Sequence, residues 1–137
     1  MTQATATNVD IVRNLYAAMA AGDGEAVSTI WSPDIVWNEA ENYPYADQNP
    51  YVGPAAIFEG VFGRICVDID NFAPQMTDFI DGGDRVVVLG RYTGTCRETG
   101  QPLDHQAVHV WTIEDGKITK FQQYADTLGA ARALGRI

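Results

Sequence analysis

The sequence predicts an α+β fold: three N-terminal helices packed on a strongly curved, mostly antiparallel sheet, with a short C-terminal helix closing the chain. Helical periodicity dominates the first half of the chain, and long alternating runs separated by turn signals fill most of the second. The dipeptide Asp115-Gly116 lies between two such runs and marks a two-residue hairpin, because a type I′ turn needs positive φ at both central positions.

Residues 1–7, rich in Thr and Ala, read as a frayed leader. Val9, Val12, Leu15, Tyr16 and Met19 then recur at helical spacing, with Thr7 or Asn8 as N-cap and Gly22 as stop. Ala26, Val27, Ile30 and Trp31 mark a second helix, ended at Ser32-Pro33 because proline disfavours helical geometry in the residue before it. The run DIVWNE is a short strand leading into a loop dense in proline, asparagine and tyrosine. Gly53-Pro54 opens the third helix, PAAIFEGVFGRI, with proline favoured at the first helical position. Strands are expected over roughly 66–80, 84–97, 104–114 and 117–126, and a few helical residues over 128–134. With no internal repeat or second domain visible, residues 1–137 read as one domain around a single core.

A content of 46% hydrophobic and 20% charged residues is that of a globular protein, and no apolar run approaches the ~18 residues of a membrane span. A net charge of −9 repels phosphate backbones and anionic lipid heads, so neither nucleic acid nor membrane is an expected partner. The N-terminus lacks the basic and apolar regions of a secretory signal, and the expected compartment is cytoplasmic. Cys66 and Cys96 show no metal-binding spacing and read as small buried or half-buried thiols. Phosphate-binding glycine loops, GxSxG and HExxH are absent; no cofactor and no metal are expected.

A two-residue turn at Asp115-Gly116 would set Glu114 opposite Lys117, Ile113 opposite Ile118, His109 opposite Gln122 and His105 opposite Asp126. One face then collects His105, His109, Trp111, Gln122, Tyr124 and Asp126, and the other Val108, Val110, Thr112, Phe121 and Ala125. A carboxylate beside an imidazole is a usable acid/base pair, and Asp126 with His109 or His105 is the first candidate. Two alternatives stand beside it. The polar face packs against a second subunit, or Asp126 simply caps the last helix. One bulge would also reverse the facing of an entire arm.

Glu39 is a second candidate base, since a carboxylate emerging before the tyrosine-rich loop would have its pKa raised by an apolar pocket; the alternative is an exposed acid. Trp37 and Asn38 beside it, Tyr16 on the first helix, Tyr45 in the loop, and Trp111 and Tyr124 on the hairpin are candidates for binding substrate. Tyr16 and the loop tyrosines also fit as packing residues.

In order and spacing, the segments LYAAMAAGDGEAVSTIWSPDIVWNE, YVGPAAI, VHVWTIEDGKITKFQQYAD and DTLGAARALG resemble a SnoaL-like member of the NTF2-like superfamily. That superfamily includes polyketide cyclases, ketosteroid isomerases, limonene epoxide hydrolases and scytalone dehydratases. The resemblance implies a cone-shaped α+β barrel, a homodimer formed through the sheet, and a pocket for a small hydrophobic molecule. It implies an acid/base role for Asp126, by its match to the cyclases and epoxide hydrolases, and for Glu39, by its match to the isomerases. Leu15 and Val108 stand at the isomerases' oxyanion-hole positions, so steroid isomerisation is not implied. The isomerase match puts Val108 and Val110 inside the cone; the cyclase match, which the C-terminal segment favours, puts His109 there. Two function classes follow: an acid/base enzyme acting on a small hydrophobic carbonyl or epoxide compound, and a non-catalytic binding or dimerisation module.

Overall fold

The computed structural model of the chain describes residues 7–137. Of the expected leader, residues 1–6 lie outside the described residues, while Thr7 is the N-cap of helix α1 (Asn8–Ala20). The Thr7 hydroxyl accepts from the Asp10 N–H at 3.1 Å and the Asp10 carboxylate accepts from the Thr7 N–H at 3.2 Å, a reciprocal capping box. Gly22, at φ 68°, follows the helix as its stop. Helix α2 (Gly24–Ile30) is capped by Asp23 and ends earlier than Ser32-Pro33. Trp31 is already extended, because it opens strand β1 (Trp31–Asn38) and pairs with Ile118.

The third helical run is longer than expected. It comprises α3 (Pro54–Ile57), a π-helical turn (Phe58–Phe62) and α4 (Gly63–Asp68), so residues 66–68 are helix and not strand. Two short elements were not foreseen in the tyrosine-rich loop, a 3-10 turn (Ala46–Gln48) and strand β2 (Tyr51–Val52). Strands β3 (Ile69–Asp81), β4 (Arg85–Cys96), β5 (Pro102–Glu114) and β6 (Lys117–Ala125) precede helix α5 (Thr127–Ala133). Cys96 is buried, whereas Cys66 on α4 is exposed, contrary to its reading as a covered thiol. Among the described residues no helix is long and apolar enough to cross a membrane.

The six strands form one sheet in the order β2-β1-β6-β5-β4-β3. Neighbours are antiparallel except β1 and β6, which run parallel. The sheet is open, not a closed barrel: β2 and β3 are its edges, and the register of β3 shifts twice along β4, where bulges bend the ladder.

Asp115 and Gly116 both have positive φ, at 52° and 78°, and the expected pairs Glu114–Lys117 and Ile113–Ile118 form. One residue further on, the register departs from expectation. Thr112 pairs with Lys120, leaving Thr119 as a bulge, so His109 faces Gln123 and not Gln122. The facing of β5 is therefore as expected, with His105, His109 and Trp111 buried, while that of β6 is reversed. Phe121 and Gln123 are buried, and Tyr124 is 58% exposed on the opposite face.

Inside, two apolar clusters form. One gathers Trp31, Trp37, Trp111 and Phe121 with Val12 and Leu15 of α1 and Ile57 and Val61 of the third helical run. The other gathers Tyr43, Tyr45, Tyr92 and Leu103 with Ala130 and Leu134 at the C-terminal end. The π-helical turn fits against β2 through Gly60, where a Cβ would lie 2.3 Å from Tyr51 Cε1. Gly60→Ala is therefore expected to lower stability by about 1–3 kcal/mol through overpacking, read from chemical denaturation; an unchanged midpoint would show that the Tyr51 ring is free to move aside.

Candidate functional site

The two clusters part at a cavity of about 40 Å³. Trp37, Val61, Phe62 and Trp111 border it from the first cluster, and Tyr43 and Tyr92 from the second. Three of the buried polar side chains, Glu39, His109 and Gln123, also open onto it. The π-helical turn aims Val61 and Phe62 into this space, a placement common for such turns at functional sites.

Glu39 follows the end of β1 and is 2% exposed. Its backbone is clamped by the Asn49 side chain, which accepts from the Glu39 N–H at 3.1 Å and donates to its carbonyl at 2.8 Å. Its carboxylate accepts from the Trp37 indole N–H at 3.0 Å. Burial pushes the Glu39 pKa up to about 7, against the opposing pull of the Trp37 hydrogen bond and the Arg64 charge. A carboxyl poised there is half ionised near neutrality and can both take and return a proton.

His109 is 4% exposed and lies between two tyrosines. Its Nδ1 is 2.5 Å from the Tyr16 hydroxyl, and its Nε2 is hydrogen-bonded to the Tyr92 hydroxyl. The Trp111 indole donates to the Tyr16 oxygen at 2.9 Å, and Gln123 Nε2 donates to the Tyr92 oxygen at 3.0 Å. Burial lowers the His109 pKa to about 3, so the ring is neutral, and it raises both tyrosine hydroxyls well above their ordinary value. At the far side His105 Nε2 meets the Tyr43 hydroxyl at 3.1 Å.

Of the residues expected from the sequence, Glu39, His109, Trp37 and Trp111 border the cavity. Tyr16 and His105 contact its walls from behind, through His109 and Tyr43. Four others are placed elsewhere. Asp126 is exposed, and its carboxylate accepts from the Gly129 N–H at 2.9 Å, so it is the cap of α5 and stands outside the cavity. Tyr124 lies on the outer face because of the Thr119 bulge. Asn38 alternates away from the buried Trp37. Tyr45 is buried but donates to Asp68 at 2.9 Å. Sequence reasoning did not single out Tyr92 or Gln123. The alternation Val86, Val88, Tyr92 marks one buried face of β4, but matching Tyr92 with His105 required the span of the 97–101 turn.

A family model described as the SnoaL-like domain matches residues 12–121. The chain belongs to the SnoaL-like domain family. Among solved structures, this SnoaL-like chain is similar to an NTF2-like protein from Burkholderia thailandensis, with 35% identity, a TM-score of 0.89, and coverage of 95% of this chain and 98% of that one. It is similar to TerC, co-crystallised with polyporic acid, at 26% identity and a TM-score of 0.81, covering 93% and 98% of the two chains. A protein from Mesorhizobium loti described as a SnoaL-like polyketide cyclase shares the fold at 20% identity and a TM-score of 0.70, covering 87% and 99%. No curated protein matches. The fold is thus NTF2-like.

In this SnoaL-like domain the raised Glu39 pKa couples stability to pH. Between its ordinary 4.5 and about 7 the unfolded chain has lost this proton and the folded chain keeps it, so stability falls as pH rises through that window and levels off above it. The contribution is roughly 3 kcal/mol. Urea denaturation across the window is expected to show the slope in wild type and its loss in Glu39→Gln; parallel profiles for the two would place the titration elsewhere.

Proposed function

We propose that this chain is an enzyme that moves protons on a small hydrophobic carbonyl or epoxide compound, with Glu39 as its general base. One observation carries the reading: an almost fully buried carboxyl, with its pKa near 7, in the wall of a largely apolar cavity. For a carbonyl compound the ionised carboxylate removes a proton from the carbon beside the carbonyl, the electron pair moves onto oxygen as an enolate, and the resulting carboxylic acid returns the proton. A single group that takes and redelivers one proton suits isomerisation or cyclisation. His109, neutral and hydrogen-bonded on both nitrogens, holds the wall in place and carries no charge. The likeness to TerC, crystallised with polyporic acid, supports a small-molecule ligand.

The cavity's size favours a second reading. About 40 Å³ holds one or two water-sized groups, too little for a ring such as cyclopentanone unless a lining residue such as Met19 gives way. Without that movement the chain fits a non-catalytic dimerisation module; a small-molecule-binding module would need its pocket to open in the same way. Deuterium exchange beside the carbonyl of cyclopentanone, followed by NMR in heavy water, separates the two. Wild type is expected to accelerate exchange, with a rate that rises with pH and levels off above about 7. Glu39→Gln is expected to lose about 10²–10⁴-fold. Exchange no faster than in buffer would favour the module.

We also propose a homodimer through the outer face of the sheet, where Val87, Leu89, Val108 and Val110 are half-buried and Tyr124 is 58% exposed. Light scattering is expected to give twice the 15.0 kDa chain mass, and Val110→Lys to return it to the single-chain value. A wild-type monomer would remove this proposal.

A further inference from the structure

The hydrogens of the His109 cluster can be placed by elimination. The Trp111 indole N–H only donates, and it points at the Tyr16 oxygen. At the other end, Gln123 Oε1 accepts from the Ala40 N–H at 3.1 Å, so its Nε2 must be the group that donates to the Tyr92 oxygen. Between these fixed ends lie two hydrogen bonds, from Tyr16 to Nδ1 and from Tyr92 to Nε2. Three hydrogens are available for them: one on each hydroxyl and one on the neutral ring. Two bonds use two hydrogens. One hydroxyl hydrogen is therefore surplus, on Tyr92 if the ring proton sits on Nε2, and on Tyr16 if it sits on Nδ1.

The surroundings choose between these arrangements. Tyr16 is half-buried with its ring against those of Phe79 and Trp111, and it does not border the cavity. Tyr92 borders the cavity, where an occupant's oxygen can accept the surplus hydrogen. We infer that His109 is held as its Nε2–H tautomer, which makes the Tyr92 O–H a preformed donor to an acceptor oxygen, a carbonyl or the enolate derived from it, on the compound bound in the Glu39 cavity. The substrate class rests on the reading of that cavity as the ligand site, whereas the tautomer is independent of what Glu39 does.

Tyr92 is thus the group that touches the ligand, and His109 is a positioning residue that keeps the Tyr92 hydrogen turned away from itself. The arrangement also discriminates. The Tyr92 oxygen already accepts from Nε2–H and from Gln123, so it rewards a ligand that accepts and offers little to one that must donate. If a carbonyl oxygen becomes an enolate during reaction, the same hydrogen bond strengthens as charge builds on it.

The test begins with nitrogen NMR of the histidine-labelled protein without ligand at about pH 8, where an ordinary imidazole is neutral. His105 is an internal reference of opposite kind, because its Nδ1 lies 2.9 Å from the Gln106 carbonyl, which can only accept. The expected spectrum shows one ring protonated on Nδ1, for His105, and one protonated on Nε2, for His109, with assignment by His105→Gln. Both rings protonated on Nδ1, or an averaged His109 signal, would overturn the inference. Binding is then compared for cyclopentanone and methylenecyclopentane, which differ in the acceptor oxygen. Wild type is expected to prefer the ketone by about 2–10-fold, the range of one neutral hydrogen bond, and Tyr92→Phe to lose that preference. An undiminished preference in Tyr92→Phe would show that another group makes the bond. A failed exchange assay with the Nε2–H tautomer intact would instead count against Glu39 as the base alone.

Discussion

Burying a glutamate, two histidines and a glutamine in so small a domain is unfavourable unless each finds partners, and much of this structure is arranged around that requirement. Glu39 accepts from Trp37, Gln123 bridges the Ala40 backbone and Tyr92, and His109 is bonded on both ring nitrogens. Among the described residues only one buried side-chain polar atom, Trp31 Nε1, has no partner. These polar groups line the boundary between two aromatic-rich clusters, which is also where the cavity lies. The low dielectric of those clusters raises the affinity of Glu39 for its proton and suppresses that of His109.

The bulge at Thr119 decides what the last strand contributes. With it, Phe121 packs tilted against Trp37 with ring centroids 3.8 Å apart, and Gln123 reaches Tyr92. Without it, Tyr124 and Gln122 would turn inward and Phe121 outward, the cavity would lose its amide, and the Trp37 ring in its wall would lose the ring packed against it. The bulge thus links a local backbone irregularity to the chemistry the cavity can support.

Much of the fold was legible because its signals are local. Helix α1 announced its cap at Thr7 and its stop at Gly22, Pro54 its helix start, and Asp115-Gly116 its turn. The facing of β5 was left open between two resemblances, and the one favoured by the C-terminal segment, with His109 and Trp111 inward, is the one that forms. What could not be read depends on non-local fit. Nothing in KITKF marks Thr119 as the extra residue, so Asp126 was carried to the wrong side and Gln123 was passed over. The parallel pairing of β1 with β6 joins residues far apart in sequence, and Tyr92 gains its role only from strands on either side of it. Glu39 was visible as a carboxylate before a loop, but its burial depends on that loop folding back through Asn49.

The parallel seam between β1 and β6 has one more consequence. Glu39 extends from the first strand of the chain and Gln123 from the last, and they are brought together where Asn38 pairs with Gln122 and Ala40 bonds Gln123, 83 residues away. No stretch of the chain that stops short of β6 holds both ends of the cavity. The hollow is enclosed only when β6 is inserted beside β1, so completing the sheet and forming the cavity are a single event.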